Sequence, residues 1–188
     1  MRGVSFLYRV AICDDEEKQR ELVKSILITL SIKTNIDFET EIFGSGEQLV
    51  SDYERHETPF HILILDIEMG GINGIQTAQK IRGLNNLDEQ IIFLTSYPEY
   101  MVESFDVMTF QYLIKPIAPS ILEEKMIKIC QYFQALDKKY MVTINLLHVK
   151  KFTSGVVFMS NGMELPIGRS KIKEVKDVYT KFMIMKVD

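Results

Sequence analysis

A chain of 188 residues, 46% hydrophobic and 26% charged, has the composition of a soluble globular protein, which excludes an intrinsically disordered one. Its length admits one domain of ordinary size with a remainder, or two small domains. The net charge of −4 joins an acidic body, with 12 Lys/Arg against 22 Asp/Glu over residues 1–137, to a basic tail, with 10 against 4 over residues 138–188; such a tail suits a polyanion or a plain solvated face.

Residues 1–7 read as an N-terminal extension with an Arg but no apolar stretch of signal-peptide length. No run in the chain reaches the roughly 18 apolar residues a membrane span needs, so the expectation is a cytoplasmic protein with no membrane partner. Tyr8 to Cys13 is a short apolar run ending in acids, which suits a buried strand. Residues 16–31 then place Leu22, Val23, Ile26, Leu27 and Leu30 at helical spacing. A strand from Phe38 to Phe43 leads through Gly44-Ser45-Gly46 into a helix with Leu49, Val50 and Tyr53. His61 to Leu65 is apolar throughout, as a parallel strand buried on both faces should be. After the loop Gly70 to Gly74, a helix carries Ile75, Ala78 and Ile81. Ile91 to Leu94 is a fourth strand, residues 98–105 a short helix whose Met101, Val102 and Phe105 stripe is expected in the core, and Phe110 to Ile114 a fifth strand. A last helix follows Pro116 and Pro119, with Ile121, Leu122, Ile129, Cys130 and Phe133 on its apolar face. Five βα units predict a doubly wound α/β fold, with helices on both faces of a parallel sheet.

The tail changes character after a junction at 134–140. Met141 to Val149 and Phe152 to Met159 are strand-like, and Asn161-Gly162 signals a tight hairpin before Met163 to Ile167. Ser170 is suited to cap a basic helix running to about Met183. The segment reads as mostly β, ending in a helix. Cys13 and Cys130 lie in apolar contexts without CxxC spacing and read as buried, reduced thiols.

Ligands of open α/β sheets bind outside the carboxyl ends of the strands. Those ends carry Asp14-Asp15-Glu16, Asp66, Thr95-Ser96 and Lys115-Pro116. Clustered carboxylates repel one another unless a cation neutralises them, and hard oxygen donors select Mg²⁺. Lys115 and Thr95 would grip phosphoryl oxygens while Asp66 acts as the nucleophile. Alone, Asp14-Asp15 reads as an acidic helix N-terminus and Lys115 as a solvated loop lysine; four strand ends with matching chemistry read as one site. Gly44-Ser45-Gly46 lacks the third glycine of a dinucleotide fingerprint, which falls at Leu49. There is no GK[ST] loop, and His56, His61 and His148 form no metal or triad spacing.

ICDDEE, LILDIEMGGINGI, IIFLTS and FQYLIKPI resemble the receiver domain of two-component response regulators, over residues 8–136. The resemblance implies a flavodoxin-like five-stranded parallel sheet of order 2-1-3-4-5, with Asp66 as phosphoacceptor and Mg²⁺ held by Asp14, Asp15, Asp66 and the Glu68 backbone carbonyl. It makes Thr95 and Lys115 the phosphoryl-sensing pair and Tyr112 the aromatic switch. A cis Lys115-Pro116 bond, a sensor histidine kinase as phosphodonor and a homodimer on phosphorylation are also implied. Gly70 departs from the proline usual after the phosphoacceptor. In haloacid-dehalogenase-type phosphatases, which share an Asp, a Thr/Ser and a Lys around Mg²⁺, the motif is D-x-D and the acidic pair comes last. Here the site reads Asp66-Ile67-Glu68 and the pair comes first, so an enzyme is not expected.

LLHVKKF and VVFMSNGMELPIGRSKIKEV resemble the closing hairpin and last helix of the LytTR DNA-binding domain, with Arg169 on the DNA-contacting loops. That family's opening strands have no counterpart in residues 137–188, so the output segment is expected to be shortened and to bind promoter DNA weakly. The reading is a phosphorylation-controlled transcription regulator. Beside it stands a receiver with a non-functional output segment, acting only as a phosphoacceptor or partner-binding module.

Overall fold

The computed structural model describes residues 6–55, 60–84, 88–139, 148–153, 155–168 and 171–185. The chain divides into two compact units, Met1–Ile127 and Lys128–Asp188. The first alternates β1 (Phe6–Cys13), α1 (Glu17–Lys33), β2 (Ile36–Phe43), α2 (Gly46–Arg55), β3 (Ile62–Leu65), α3 (Gly74–Gly83), β4 (Gln90–Thr95), α4 (Met101–Ser104), β5 (Thr109–Ile114) and α5 (Pro119–Lys139), the last crossing into the second unit. All four strand pairings are parallel, and the sheet order is β2-β1-β3-β4-β5, as expected.

Side-chain alternation along the strands splits the core into two layers. Ala11, Cys13, Leu63, Leu65, Ile91 and Phe93 pack with Leu49 of α2 and with Ile75, Ala78 and Ile81 of α3. Val10, Ile12, Ile62, Ile64, Ile92 and Leu94, equally buried, point the other way. β3 is buried at every position, as a central parallel strand must be. α1 buries Val23, Ile26, Leu27 and Leu30. Leu22, expected on that face, is exposed, because the stripe needs only the four residues at 3.6-residue spacing. α5 likewise buries Leu122, Met126, Ile129 and Cys130 and leaves Ile121 outside.

The largest correction lies between β4 and β5. Instead of one helix, a 3-10 turn at Pro98–Tyr100, the single α-turn of α4 and a second 3-10 turn at Phe105–Val107 follow one another. A 3-10 turn advances by 3.0 residues instead of 3.6, so the apolar face rotates. Tyr100 and Val107 reach the core, while Met101, Val102 and Phe105 are exposed, Val102 at 77% and Phe105 at 68%.

β2 forms one edge of the sheet. Its Asp37 and Glu39 are exposed, and Glu41 is half-buried. Arg9 of β1 pairs with Glu39 and Glu41 and lies over the Phe60 ring. His61 Nδ1 accepts from the Arg9 N–H at 2.9 Å, a structural role. Both cysteines are buried thiols outside any disulfide, each pushed up to about 12 by burial.

In the second unit, β6 (Val149–Thr153), β7 (Val156–Met159) and β8 (Glu164–Pro166) form an antiparallel sheet in that order, followed by α6 (Ile172–Met185). The strand expected from Phe152 to Met159 is two strands, because Gly155 turns the chain at φ +115°. The Asn161-Gly162 hairpin is present. Gly162 has φ +85°, and the Asn161 side chain accepts from the Met163 N–H at 3.0 Å. The Phe152 and Tyr179 rings, 6.1 Å apart, join β6 to α6. The junction expected at 134–140 is helical through Lys139. Most of the strand expected at Met141 to Val149 lies outside the described residues, as do Ser170, Arg169 and His56.

Candidate functional site

Asp14, Asp66, Thr95 and Lys115 each follow or end a strand of the first unit, and main-chain hydrogen bonds tie these strand ends together. Asp14 N–H donates to Phe43 O at 3.2 Å, Asp66 N–H to Cys13 O at 2.8 Å, and Lys115 N–H to Thr95 O at 2.8 Å. The sheet order therefore brings together residues far apart in sequence. Asp14, Asp66 and Thr95 are buried, while Asp15 is exposed beside them.

The Lys115 ammonium donates to Asp66 Oδ2 at 2.7 Å and to Asp14 Oδ2 at 2.8 Å, with all three side chains no more than 7% exposed. The other carboxylate oxygens accept main-chain protons: Asp14 Oδ1 from Glu16 N at 2.9 Å, and Asp66 Oδ1 from Ile67 N at 2.7 Å. Oxygens of Asp14, Asp15 and Asp66 lie within 4.8 Å of one another. One ammonium thus bridges two of the three clustered carboxylates. Burial holds the Asp14 carboxyl above its ordinary value, against the hydrogen bonds from Lys115 and Glu16. Burial works against the Lys115 charge, but the hydrogen bonds to Asp14 and Asp66 outweigh it and raise that ammonium. The Lys115-Pro116 bond is cis, as the sequence resemblance implies.

The loop after Asp66 is held at several points. Gly74 N–H donates to Ile67 O at 2.8 Å, and Asn73 and Gln76 form a reciprocal cap on α3. Gly74 has to be glycine, because a Cβ there would lie 1.9 Å from Asp66 O. Glu47 of α2 accepts the Ile72 N–H at 2.7 Å and sits beneath Gly71, whose φ is +88°. The Glu68 side chain points to the Tyr100 hydroxyl, which donates to it at 2.6 Å.

Thr95 Oγ1 accepts the Tyr97 N–H at 3.4 Å, and the Tyr112 hydroxyl donates to Tyr97 O. Thr95 and Tyr112, named from the sequence, therefore meet through the Tyr97 peptide. Tyr97, Tyr100 and Glu47 escaped the sequence reading. The available signal was two tyrosines flanking Pro98 at the carboxyl end of β4. Arg169 lies outside the described residues.

Residues 10–127 match the description of the response regulator receiver domain. The chain is 40% identical over 75 residues to the sensory transduction protein LytT of Oceanobacillus iheyensis, covering 39% of this chain and 30% of that one. It is 30% identical over 128 residues to the transcriptional regulatory protein BtsR of Escherichia coli K12, covering 66% and 49%. The response regulator protein TrrA of Thermotoga maritima, solved in complex with Mg²⁺ and beryllium fluoride, is 30% identical with a TM-score of 0.53, over 65% of this chain and 98% of that chain. A CheY-like receiver from Methanospirillum hungatei shares the fold at 23% identity and a TM-score of 0.58, covering 69% of this chain and 98% of that one. The chain spans less than half the length of these two curated relatives.

Proposed function

Because the chain belongs to the response regulator receiver family through residues 10–127, we propose that it is a signalling protein, not an enzyme, that accepts a phosphoryl group on Asp66. A sensor histidine kinase is the donor. The observation carrying this reading is the Lys115 ammonium bridging Asp66 and Asp14 at hydrogen-bond distance. An Asp66 carboxylate oxygen forms a bond to the phosphorus of a phosphohistidine as the P–N bond breaks, and the departing imidazole takes a proton from solvent. Thr95 and Lys115 then hold phosphoryl oxygens, since charge-assisted contacts to an anion are the strongest available.

The acidic cluster fits Mg²⁺. It offers hard carboxylate oxygens within 4.8 Å of one another, which suits an ion bound through few protein ligands and several waters. Asp14, Asp15, Asp66 and the Glu68 carbonyl would hold it. Bound there, Mg²⁺ would supply neutralisation of the carboxylates and of the incoming phosphoryl charge. Tyr112 reads the outcome through Tyr97.

Regulation of transcription through the second unit is the output this reading favours. Exposed Lys150, Lys151, Lys173 and Lys176 give that unit a basic surface, as phosphate contacts require. A specific observation keeps the second reading, a phosphoacceptor or partner-binding module, in play. Among the described residues of the three-stranded sheet only Val157 is buried, a thin core from which to present a recognition element.

The test is labelling with a small phosphodonor and Mg²⁺, read by intact mass. One phosphoryl group is expected, and Asp66→Asn or a chelator abolishes it. Undiminished labelling of Asp66→Asn overturns the assignment.

A further inference from the structure

Glu68 faces two ways. In the reading above, its main-chain carbonyl belongs to the metal site, while its side chain leaves the pocket and accepts the Tyr100 hydroxyl at 2.6 Å. The Tyr100 ring meets the Tyr97 ring at 6.5 Å with a 68° interplanar angle. The Tyr97 peptide in turn takes its hydrogen bonds from two directions: its N–H lies on Thr95 Oγ1, and its carbonyl receives the Tyr112 hydroxyl. Tyr112 packs on Phe93 of β4, with ring centroids 6.1 Å apart. Two lines of contact therefore converge on Tyr97, one from Thr95 inside the pocket and one from Glu68 outside it.

The segment bearing these tyrosines is short, with Tyr100 and Val107 packed on the core and the residues between them largely exposed. It is one α-turn between two 3-10 turns, with Val102 and Phe105 exposed. Short, poorly buried segments have low local stability and are readily biased. Tyr100 packs on the core, and the hydrogen bond it donates to Glu68 fixes the direction of its hydroxyl. The contact from the loop after Asp66 to Tyr97 thus runs through a carboxylate two residues from Asp66 and the Tyr100 ring.

We infer that Tyr100 is a positioning residue of this site: its hydroxyl ties Glu68 to Tyr97, and so relays occupation of the Asp66 pocket to Tyr112 by a route additional to Thr95. The inference rests on the assignment of Asp66 as phosphoacceptor. It assigns a role to the side chain of Glu68 distinct from that of its carbonyl.

The experiment uses the full chain with its eight tyrosines replaced by 3-fluorotyrosine, saturated with Mg²⁺ and beryllium fluoride as phosphoryl mimic. One ¹⁹F spectrum reports both the bound fluoride and the tyrosines, with Tyr112 assigned from Tyr112→Phe. In the parent chain a bound-fluoride signal and a displaced Tyr112 resonance are expected. In Tyr100→Phe, which removes one oxygen and keeps the ring, the bound signal persists while the Tyr112 displacement falls to about half or less. Glu68→Ala gives the same loss, Glu68→Gln, which keeps an acceptor, restores it, and combining Tyr100→Phe with Glu68→Ala loses no more than either alone. An undiminished Tyr112 displacement in Tyr100→Phe overturns the inference. So does disappearance of the bound signal in that variant, which would make Tyr100 a support of the pocket. Absence of bound fluoride in the parent chain overturns the reading of the site itself, and this inference with it.

Discussion

Lys115 and Asp66 stand 2.7 Å apart, with the same ammonium 2.8 Å from Asp14, so one side chain closes the carboxyl ends of β1, β3 and β5 onto each other. Removing one partner of a buried ion pair leaves an uncompensated charge and costs about 3–5 kcal/mol. Lys115→Ala is therefore expected to lower stability by that order in a chelating buffer. Mg²⁺ should recover much of the loss, since a ligand bound only by the folded state stabilises it. Urea unfolding with and without Mg²⁺ measures both. Equal stability of parent and variant in chelator would contradict the bridging role. Mg²⁺ should bind the variant no more weakly than the parent, while a bound phosphoryl group loses its cationic contact.

Metal binding should weaken in acid from a point above pH 3.8. Burial, opposed by Lys115 and Glu16, raises the folded Asp14 value above that ordinary 3.8. Ionised Asp14 thus costs the metal-free fold stability above its folded value, a cost that shrinks as pH falls through that value and is gone below 3.8. Mg²⁺ requires the ionised form, so protons compete for the site. Glu47 runs the other way: the Ile72 N–H holds it below its ordinary 4.5. Its contribution is present above 4.5 and is lost as pH falls through the lower folded value. Mg²⁺ titrations across this range should show affinity falling with pH in the parent and a flatter profile in Asp14→Asn.

Three neighbouring glycines should respond differently to alanine. At Gly70 a Cβ meets nothing within 4 Å, so Gly70→Ala should stay within about 0.5 kcal/mol of the parent. Gly71 has φ +88°, and its Cβ would lie 2.3 Å from Glu47 Oε1; the left-handed backbone alone costs about 1–2 kcal/mol. Gly74→Ala would press on Asp66 O, costing about 1–3 kcal/mol as overpacking, and should also weaken Mg²⁺ binding. Denaturant midpoints together with Mg²⁺ titrations separate the three.

Activation should promote self-association through the surface carrying Val102, Phe105 and Met108, all exposed and close in sequence to Tyr97 and Tyr100. Large apolar side chains exposed along one short segment suit an interaction surface, and repacking near Tyr97 can bias it. Sedimentation at micromolar concentration should show more dimer with phosphodonor than without. Phe105→Glu should abolish the difference, and an identical mass in both conditions would count against the dimer.

DNA binding by the second unit should be weak and salt-steep. Phosphate contacts position a protein without specifying sequence, and log affinity falls with log salt by about 0.9 per phosphate neutralised. Lys150→Ala and Lys151→Ala should shallow that slope on promoter and random fragments alike. Arg169, whose fork can pair with guanine, is the residue expected to carry any sequence preference. Tight, promoter-selective retardation surviving Arg169→Ala would refute this account.

Much of the candidate site is legible because each of these residues directly follows a short apolar run: Asp14 after Cys13, Asp66 after Leu65, Thr95 after Leu94, Lys115 after Ile114. A parallel sheet gathers such ends by topology alone, so order in the chain becomes order in space. What escaped depends on contacts that periodicity does not encode. Tyr100 and Glu68 are 32 residues apart, and their bond exists only because 3-10 turns rotate the segment after β4. The same rotation sent Met101, Val102 and Phe105 outward against their helical spacing. In the tail, the apolar residues on either side of Ser154-Gly155 read as one strand-like run from Phe152 to Met159, and the positive φ of Gly155 lies between β6 and β7.

The acidic edge of the sheet has a bearing on how the protein survives at high concentration. An edge strand of eight residues offers unpaired main-chain groups to any passing chain, and β2 is such a strand. Asp37, Glu39 and Glu41 recur at every second position, so the carboxylates share one side of the strand, and Arg9 from β1 answers Glu39 and Glu41. A second copy laid antiparallel along β2 would bring carboxylates opposite carboxylates, an arrangement that disfavours pairing. That repulsion disfavours stacking along this edge, so the self-association expected on activation would meet less competition from it.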